Sequence, residues 1–130
     1  MRQILDHKLS GLNDALVVVA MDEPGSGGAN HQYGIYADET TPEGKAIKPG
    51  VTVRTVINFQ NGPIKEAGVN GISNEALLAV VMDRLNSFQS GPFRCDDNQD
   101  ALQLIHEALF VLKKRTQRRI DRGVEGTNQK

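Results

Sequence analysis

The sequence has 130 residues, about the length of one domain, and its net charge of −1 excludes a protein that holds nucleic acid by bulk positive charge alone. Its composition, 38% hydrophobic and 24% charged, is that of an ordinary globular chain and excludes wholesale disorder. The single cysteine, Cys95, excludes an internal disulfide. The sequence has no apolar signal region and no run of ~20 apolar residues, so we expect a protein of the reducing cytoplasm with no membrane partner.

Residues 1–72 are predicted to be rich in β-strand, because they hold ten of the thirteen glycines and four of the five prolines between short β-branched runs. Residues 15–21 predict a buried strand, residues 31–37 a second one, and residues 51–59 a third. Val51, Val53, Ile57 and Phe59 share one face of the third strand, which is typical of a half-buried antiparallel sheet. The glycine-rich stretch between the first two strands predicts a flexible loop.

Residues 73–122 predict an antiparallel helical hairpin. Ser73 or Asn74 can cap the first helix, Gly91-Pro92 ends it, and the second helix begins at Asp96 or Asp97. Each helix repeats apolar residues at intervals of three and four: Leu78, Val81, Leu85 and Phe88, then Leu102, Ile105, Leu109 and Leu112. Gly123 ends the second helix and residues 123–130 form a tail. The fold class is therefore α+β, with a small antiparallel sheet followed by the hairpin in a single domain of residues 1–130.

The second helix carries more apolar surface than one hairpin uses. A further stripe lies beside the first and comprises Ala101, Leu104, Ala108 and Val111, extended by Phe110. Either the hairpin lies flat on the sheet or it associates with another copy, and the pattern alone leaves both open.

Signatures of an enzyme are absent from the sequence. There is no phosphate-binding Gly-x-x-x-x-Gly-Lys-Ser/Thr motif, and the three histidines are too far apart to have metal-ligand spacing. Cys95 has no identifiable base, so a structural cysteine is the better interpretation. We therefore expect no catalytic residues, no metal and no cofactor.

The end of the second helix concentrates positive charge. Residues 113–122 contain six basic residues against one acidic residue, and Arg115, Arg118, Arg119 and Arg122 share one helical face. Arginine binds phosphate through two parallel hydrogen bonds, so this face indicates a phosphate site, whereas compensation of the helix dipole is the alternative. A small nucleic-acid-binding regulator that uses residues 113–122 is the alternative function.

Phe88 favours a nucleotide, because an aromatic ring, an amide and arginines supply stacking, base-edge hydrogen bonds and phosphate neutralisation. Asn98 lies close to it in sequence. Within one hairpin, however, the turn and Arg115 are about 25 Å apart at 1.5 Å per helical residue. A second, antiparallel copy would bring them together, which predicts a site between subunits.

Several motifs resemble a phage family in the right order. They are Asn61 to Glu66, Gly68 to Leu78, Phe88 to Phe93, Arg115-Thr116 and Arg122 to Thr127, together with Gly28-Ala29-Asn30-His31. The chain is similar to the Thoeris anti-defence proteins, which share a helical-hairpin domain with the anti-CBASS cyclic-nucleotide sponges.

The resemblance implies a non-enzymatic sponge in the host bacterial cytoplasm. Such proteins sequester glycocyclic ADP-ribose isomers made by TIR enzymes, in some members also CBASS cyclic di- or trinucleotides at a separate site, and they form dimers that join into hexamers. By position, the ligand-binding residues are Phe88, Asn98, Arg115 and Arg119. Arg94 departs from the family pattern, in which a small residue precedes the cysteine, and this extra cation beside the turn either alters the ligand preference or is solvated. If the arginines form an exposed helix end, Arg119→Ala should change folding stability by only ~0.3–1 kcal/mol.

Overall fold

Four antiparallel strands form the N-terminal part of the chain. The computed structural model describes residues 1–47 and 52–130. The strands lie in sheet order as they occur in the chain: β1 (Arg2–Ile4), β2 (Val17–Ala20), β3 (Gln32–Asp38) and β4 (Thr52–Asn58). The predicted antiparallel sheet is confirmed, with β1 as an additional edge strand. The predicted strand at residues 15–21 is shorter because a one-turn helix, α1 (Leu12–Ala15), precedes it, and Val51 lies outside the described residues.

The predicted apolar face of the sheet is present. Tyr33 pairs with Ala20 on one side and with Ile57 on the other, and its ring meets Phe59 edge-on with a centroid distance of 5.7 Å. Ala20 is fully buried and Ala37 is 9% exposed, whereas Thr55, which interrupts the face, is exposed. The β-branched and aromatic residues of alternate positions therefore pack where the period of two places them.

The loop between β2 and β3 is closed by hydrogen bonds to Asp22. Its carboxylate accepts from the backbone N–H groups of His31, at 3.0 Å, and Gln32, at 3.2 Å. Burial alone would raise the pKa of Asp22, but these hydrogen bonds outweigh it and hold the pKa below the ordinary value of 3.8. Gly25 lies so close to Asn61 that an added Cβ would stand 3.1 Å from its amide oxygen. The glycine-rich loop thus has a defined path across the β-unit.

The C-terminal part is helical, and both long helices begin and end where the sequence predicts. They are α3 (Asn74–Gln89) and α4 (Asp96–Asp121), preceded by a one-turn helix, α2 (Ile64–Ala67). The Ser73 hydroxyl caps α3 by accepting from the N–H of Ala76 at 3.0 Å. Gly123, with a φ of +73°, ends α4 in the left-handed region that favours glycine.

One face of each long helix packs into the hairpin. The half-buried positions of α3 include Leu78, Met82, Leu85 and Gln89, and those of α4 are Asn98, Ala101, Leu102, Ile105, Leu109, Leu112, Thr116 and Arg119. The predicted stripe of α4 is confirmed. That of α3 is rotated, since Val81 and Phe88 are 39% and 40% exposed. Met82 and Gln89 take their places on the packed face.

The described chain divides into two units, Met1–Asn61 and Gly62–Lys130. Each has its own buried residues, with Ala20 in the first and Val124, 7% exposed, in the second. The division falls before α2, so residues 62–72 belong with the helices rather than with the sheet. None of the described helices is long and apolar enough to cross a membrane. The assignment of residues 1–130 to a single domain stays a prediction.

Candidate functional site

The turn between α3 and α4 is held by one side chain, Gln89. Its Oε1 accepts from the backbone N–H of Cys95 at 3.1 Å, and its Nε2 donates to the carbonyl of Cys95 at 3.1 Å and to Gln99 Oε1 at 3.3 Å. The Cys95 sulfur in turn accepts from the N–H of Asn98 at 3.4 Å and so caps α4. Cys95 is exposed but has this structural role. These contacts fix the first turn of α4, where Asn98 is half-buried.

Phe88 stands exposed beside this turn, with a cation over its ring. The Arg84 guanidinium carbon lies 5.5 Å from the ring centroid, and 40% of Phe88 is accessible. The two residues are four apart and therefore neighbours on one helical face. Sequence reasoning missed Arg84, although its four-residue spacing from Phe88 is a visible signal. The geometry gives a flat apolar surface with a guanidinium beside it, which suits a planar heteroaromatic ring bearing phosphate.

The basic end of α4 divides into free and engaged arginines. The side chains of Arg115 and Arg118 are exposed and make no hydrogen bond or ion pair within residues 1–47 and 52–130. Arg122 donates to the carbonyl of Lys130 at 2.6 Å. Arg115 is therefore the predicted site arginine that stands ready for an anion from outside the chain.

Arg119 is not part of an exposed helix end. Its side chain is only 15% exposed, and its Nε donates to Glu125 Oε2 at 3.0 Å. The guanidinium also binds the backbone carbonyls of Gln129, at 2.7 Å, Val124, at 3.0 Å, and Thr127, at 3.2 Å. The premise of an exposed helix end is therefore wrong for Arg119, and the expectation that Arg119→Ala leaves folding nearly unchanged loses its basis. The premise failed because the tail returns to α4, which helical periodicity cannot reveal.

Within one chain the four predicted ligand residues form two separate pairs. Phe88 and Asn98 lie at the turn, and Arg115 and Arg119 lie at the far end of α4. Seventeen residues of continuous helix separate Asn98 from Arg115, or about 25 Å. A nucleotide cannot bridge that distance, so the two pairs act together only if another copy contributes one of them.

Two hollows lie elsewhere on the described surface. One, of about 750 Å³, lies on the β-unit over the face that carries Val19, Gly34, Tyr36, Arg54 and Val56. The other, of about 410 Å³, lies along the hairpin and is lined by Met82, Asn86, Gln99, Leu102, Gln103 and His106. Neither is lined by the predicted ligand residues. Among the residues described, no group of three or more His, Cys, Asp or Glu could hold a metal ion.

Comparison with known proteins finds a family that covers β4 and most of the helical part. Residues 52–117 match the family described as "Acb2/Tad1, hairpin domain". The chain is also 50% identical over 74 residues, 57% of its length, to "Thoeris anti-defense 1" of Bacillus phage SBSphiJ7. That alignment covers 52% of the relative, so the chain spans about half the length of the curated relative it matches.

Proposed function

The chain belongs to the Acb2/Tad1 hairpin-domain family, and from that premise we propose that it is a phage anti-defence protein that sequesters a signalling nucleotide. The proposed ligand is a glycocyclic ADP-ribose isomer made by a TIR enzyme, with cyclic di- or trinucleotides at a separate site as a further possibility of the same chemistry. The relative named for Thoeris anti-defence supports the anti-defence role. The proposed place of action is the host bacterial cytoplasm.

An exposed stripe on α4 carries this proposal. It repeats at intervals of three and four along the helix, outside the packed face: Asp97, Asp100, Leu104, Ala108, Val111, Arg115, Arg118 and Arg122. Its first part is acidic, its centre is apolar and its last part is basic. Leu104 is 64% and Val111 58% exposed, so the centre of the stripe is a contiguous exposed apolar patch, the kind of surface that marks an interaction site. Within the unit Gly62–Lys130 no described residue covers the stripe.

Such a stripe complements a second copy of itself. A twofold axis between Ala108 and Val111 places the apolar centres in contact in an antiparallel arrangement. Asp97 of one copy then faces Arg122 of the other, so opposite charges meet at both ends. The predicted self-association is thus supported by the charge order as well as by the apolar area. Further joining of such dimers into a hexamer is part of the proposal.

The same pairing assembles the proposed ligand site. Phe88 lies about a quarter turn around the α3 axis from the packed face of α3. Leu104 lies about a quarter turn around the α4 axis from the packed face of α4, in the same sense of rotation. In an antiparallel hairpin both residues therefore lie on one side. The axis sets Leu104 of one copy opposite Arg115 of the other, about one turn and a half from Asn98. Phe88 would stack the base, Asn98 would bind its edge, and Arg115 and Arg119 of the other copy would bind phosphate.

The protein is proposed to bind without cleaving. The residues proposed to touch the ligand offer a ring, an amide and guanidinium groups, none of which is a general base at neutral pH. The test is to incubate the protein with a glycocyclic ADP-ribose isomer, remove free ligand, denature by heat and analyse the released nucleotide. Intact ligand in stoichiometric amount supports the sponge. Altered ligand contradicts it, and binding of duplex DNA with no nucleotide retained would favour the regulator that uses residues 113–122.

Phe88→Ala and Arg94→Ala form a matched pair for this test. Both lie at the turn, and only Phe88 is proposed to touch the base. Phe88→Ala should weaken ligand binding by about 5- to 150-fold, since a stacked base contributes ~1–3 kcal/mol. Arg94→Ala should leave it within about fivefold, because an exposed charge outside the site contributes ~0–1 kcal/mol. If the two substitutions changed the affinity equally, the ligand would not contact Phe88.

A further inference from the structure

We propose that Glu125 is an affinity-determining residue of the phosphate site, because its carboxylate occupies the place on Arg119 that a ligand phosphate would take. Carboxylate and phosphate oxygens are interchangeable partners for a guanidinium, and both bind it through charge-assisted hydrogen bonds. Ligand binding at Arg119 is then an exchange of one anion for another. The inference rests on the proposed function and names a residue that is not among the ligand-binding residues implied by the resemblance.

The contacts of Arg119 make this exchange necessary. A guanidinium has five N–H groups. Its Nε donates to Glu125 Oε2, its Nη1 to the carbonyl of Gln129, and its Nη2 to the carbonyls of Val124 and Thr127. Within the described residues this leaves one N–H of Nη1 without an acceptor. A phosphate oxygen that takes the Nε contact of Arg119 must therefore displace Glu125.

Glu125 is the acceptor that can leave. The tail around it is held by other contacts. Val124 is 7% exposed, and the N–H of Lys65 donates to the carbonyl of Gly126 at 3.1 Å. The Asn128 Nδ2 donates to Glu66 Oε2 at 3.3 Å. An added Cβ on Gly126 would stand 2.9 Å from Ile64, so the backbone there is closely packed. The Glu125 side chain, by contrast, is 40% exposed and can rotate into water. Only this side chain needs to move.

The exchange sets the affinity of the phosphate site. An anion that reaches Arg119 replaces an existing ion pair and gains little from that residue alone. An anion that also reaches Arg115, which lies one helical turn away and has no side-chain partner among the described residues, gains a new contact. Glu125 thereby lowers the affinity of the phosphate site for any phosphate-bearing ligand. Removal of its charge should increase affinity, whereas removal of a carboxylate that merely supports the tail should not.

The experiment compares Glu125→Gln with Glu66→Gln by calorimetric titration of inorganic pyrophosphate and of a glycocyclic ADP-ribose isomer. Both variants remove one negative charge from a carboxylate that contacts the tail, and only the first frees Arg119. Glu125→Gln should bind both probes about tenfold more tightly, equivalent to about 1.4 kcal/mol. Glu66→Gln should stay within about twofold. Equal gains in both variants, or a loss in Glu125→Gln, would overturn the inference.

A double-mutant cycle separates local exchange from general charge. In an Arg119→Gln background, Glu125→Gln should no longer increase affinity for pyrophosphate. If that background fails to fold, the carboxyl-carbon NMR signal of Glu125 in the unmodified protein decides. It should shift on addition of pyrophosphate, and an unchanged signal at saturation would refute the exchange.

The two probes distinguish the failure of this inference from that of the proposed function. If the ADP-ribose isomer binds no variant, the sponge is wrong, while the pyrophosphate measurements still decide on the exchange. If pyrophosphate binds neither the unmodified protein nor Glu125→Gln, the exchange is wrong whatever the nucleotide does.

Discussion

Arg119 should be important for folding even in the absence of ligand. It joins α4 to the tail through an ion pair with Glu125 at 3.0 Å and through three backbone carbonyls, and only 15% of its side chain is exposed. Arg119→Ala removes all four contacts and leaves carbonyls of a closely packed segment without their donor. Hydrogen bonds to charged groups contribute ~1.5–3 kcal/mol each, but the carbonyls regain water as the tail loosens and Glu125 is part-exposed.

We therefore expect a net loss of about 2–3 kcal/mol in the free energy of unfolding. At roughly 4–8 °C per kcal/mol for a unit of 60–100 residues, the melting temperature should fall by about 10–20 °C. The matched control is Arg118→Ala, which removes the same charge from the adjacent, exposed position. It should cost at most ~1 kcal/mol through the helix dipole.

The measurement is urea denaturation of both variants and the unmodified protein, without ligand, followed by far-ultraviolet circular dichroism. If Arg119→Ala and Arg118→Ala unfold within about 0.5 kcal/mol of each other, Arg119 does not hold the tail. In that case Arg119 would be the exposed ligand residue that the sequence suggested, and its contacts to Val124, Glu125 and Thr127 would carry no stability.

Two further predictions concern the β-unit and the turn. Hydrogen bonds lower the folded-state pKa of Asp22 below 3.8, so the stability that Asp22 contributes is present above that value and is lost as pH falls through the lowered pKa. Asp22→Asn should therefore flatten this part of an acid-unfolding curve. An unchanged curve would contradict the role of the Asp22 hydrogen bonds. Cys95→Ser should retain ligand affinity within about threefold. A hydroxyl caps a helix at least as well as a thiol, and substitutions of exposed residues usually change stability by no more than ~0.5 kcal/mol. Loss of binding with the fold intact would place Cys95 in the site.

The sequence predicts the long elements well because their signals are local. Ser73 and Gly123 mark helix ends through hydrogen bonding and left-handed φ, and the spacing of α4's leucines follows from the helical repeat. The three- and four-residue elements β1, α1 and α2 were missed, since they are too short to display a period. On α3, Val81 and Met82 are adjacent and both apolar, so the sequence does not decide which of them faces α4.

The roles of side chains at the site are less predictable than their types. An aromatic residue, an amide and arginines are readable from the sequence, and the family resemblance selects Phe88, Asn98, Arg115 and Arg119. Arg119 is engaged, whereas the Arg115 side chain has no partner in the part of the chain that the structure describes. This difference depends on the tail folding back onto α4, through turns at Gly123 and Gly126 whose φ values are +73° and +79°. Glu125, six residues beyond Arg119, has no helical relation to it. Contacts of this kind arise from chain reversal and need a structure.

The proposed pairing of two α4 stripes makes a charge-exchange prediction. An antiparallel twofold arrangement sets Arg118 of one copy beside Asp100 of the other, and symmetry repeats the contact. Arg118→Asp should therefore create two repulsive contacts in each dimer, and at ~0.5–1 kcal/mol each the dimer dissociation constant should rise by roughly 5- to 30-fold. Asp100→Arg should act alike.

The double variant Asp100→Arg/Arg118→Asp restores opposite charges at both contacts, and its dimer dissociation constant should return to within about threefold of that of the unmodified protein. Asp83→Arg, on the exposed side of α3 away from the stripe, is the control and should change nothing. Sedimentation equilibrium over a range of concentrations and at two salt concentrations measures each constant. Additive weakening in the double variant would show that the acidic and basic ends do not meet, and the site between subunits would then need a different arrangement of the two hairpins.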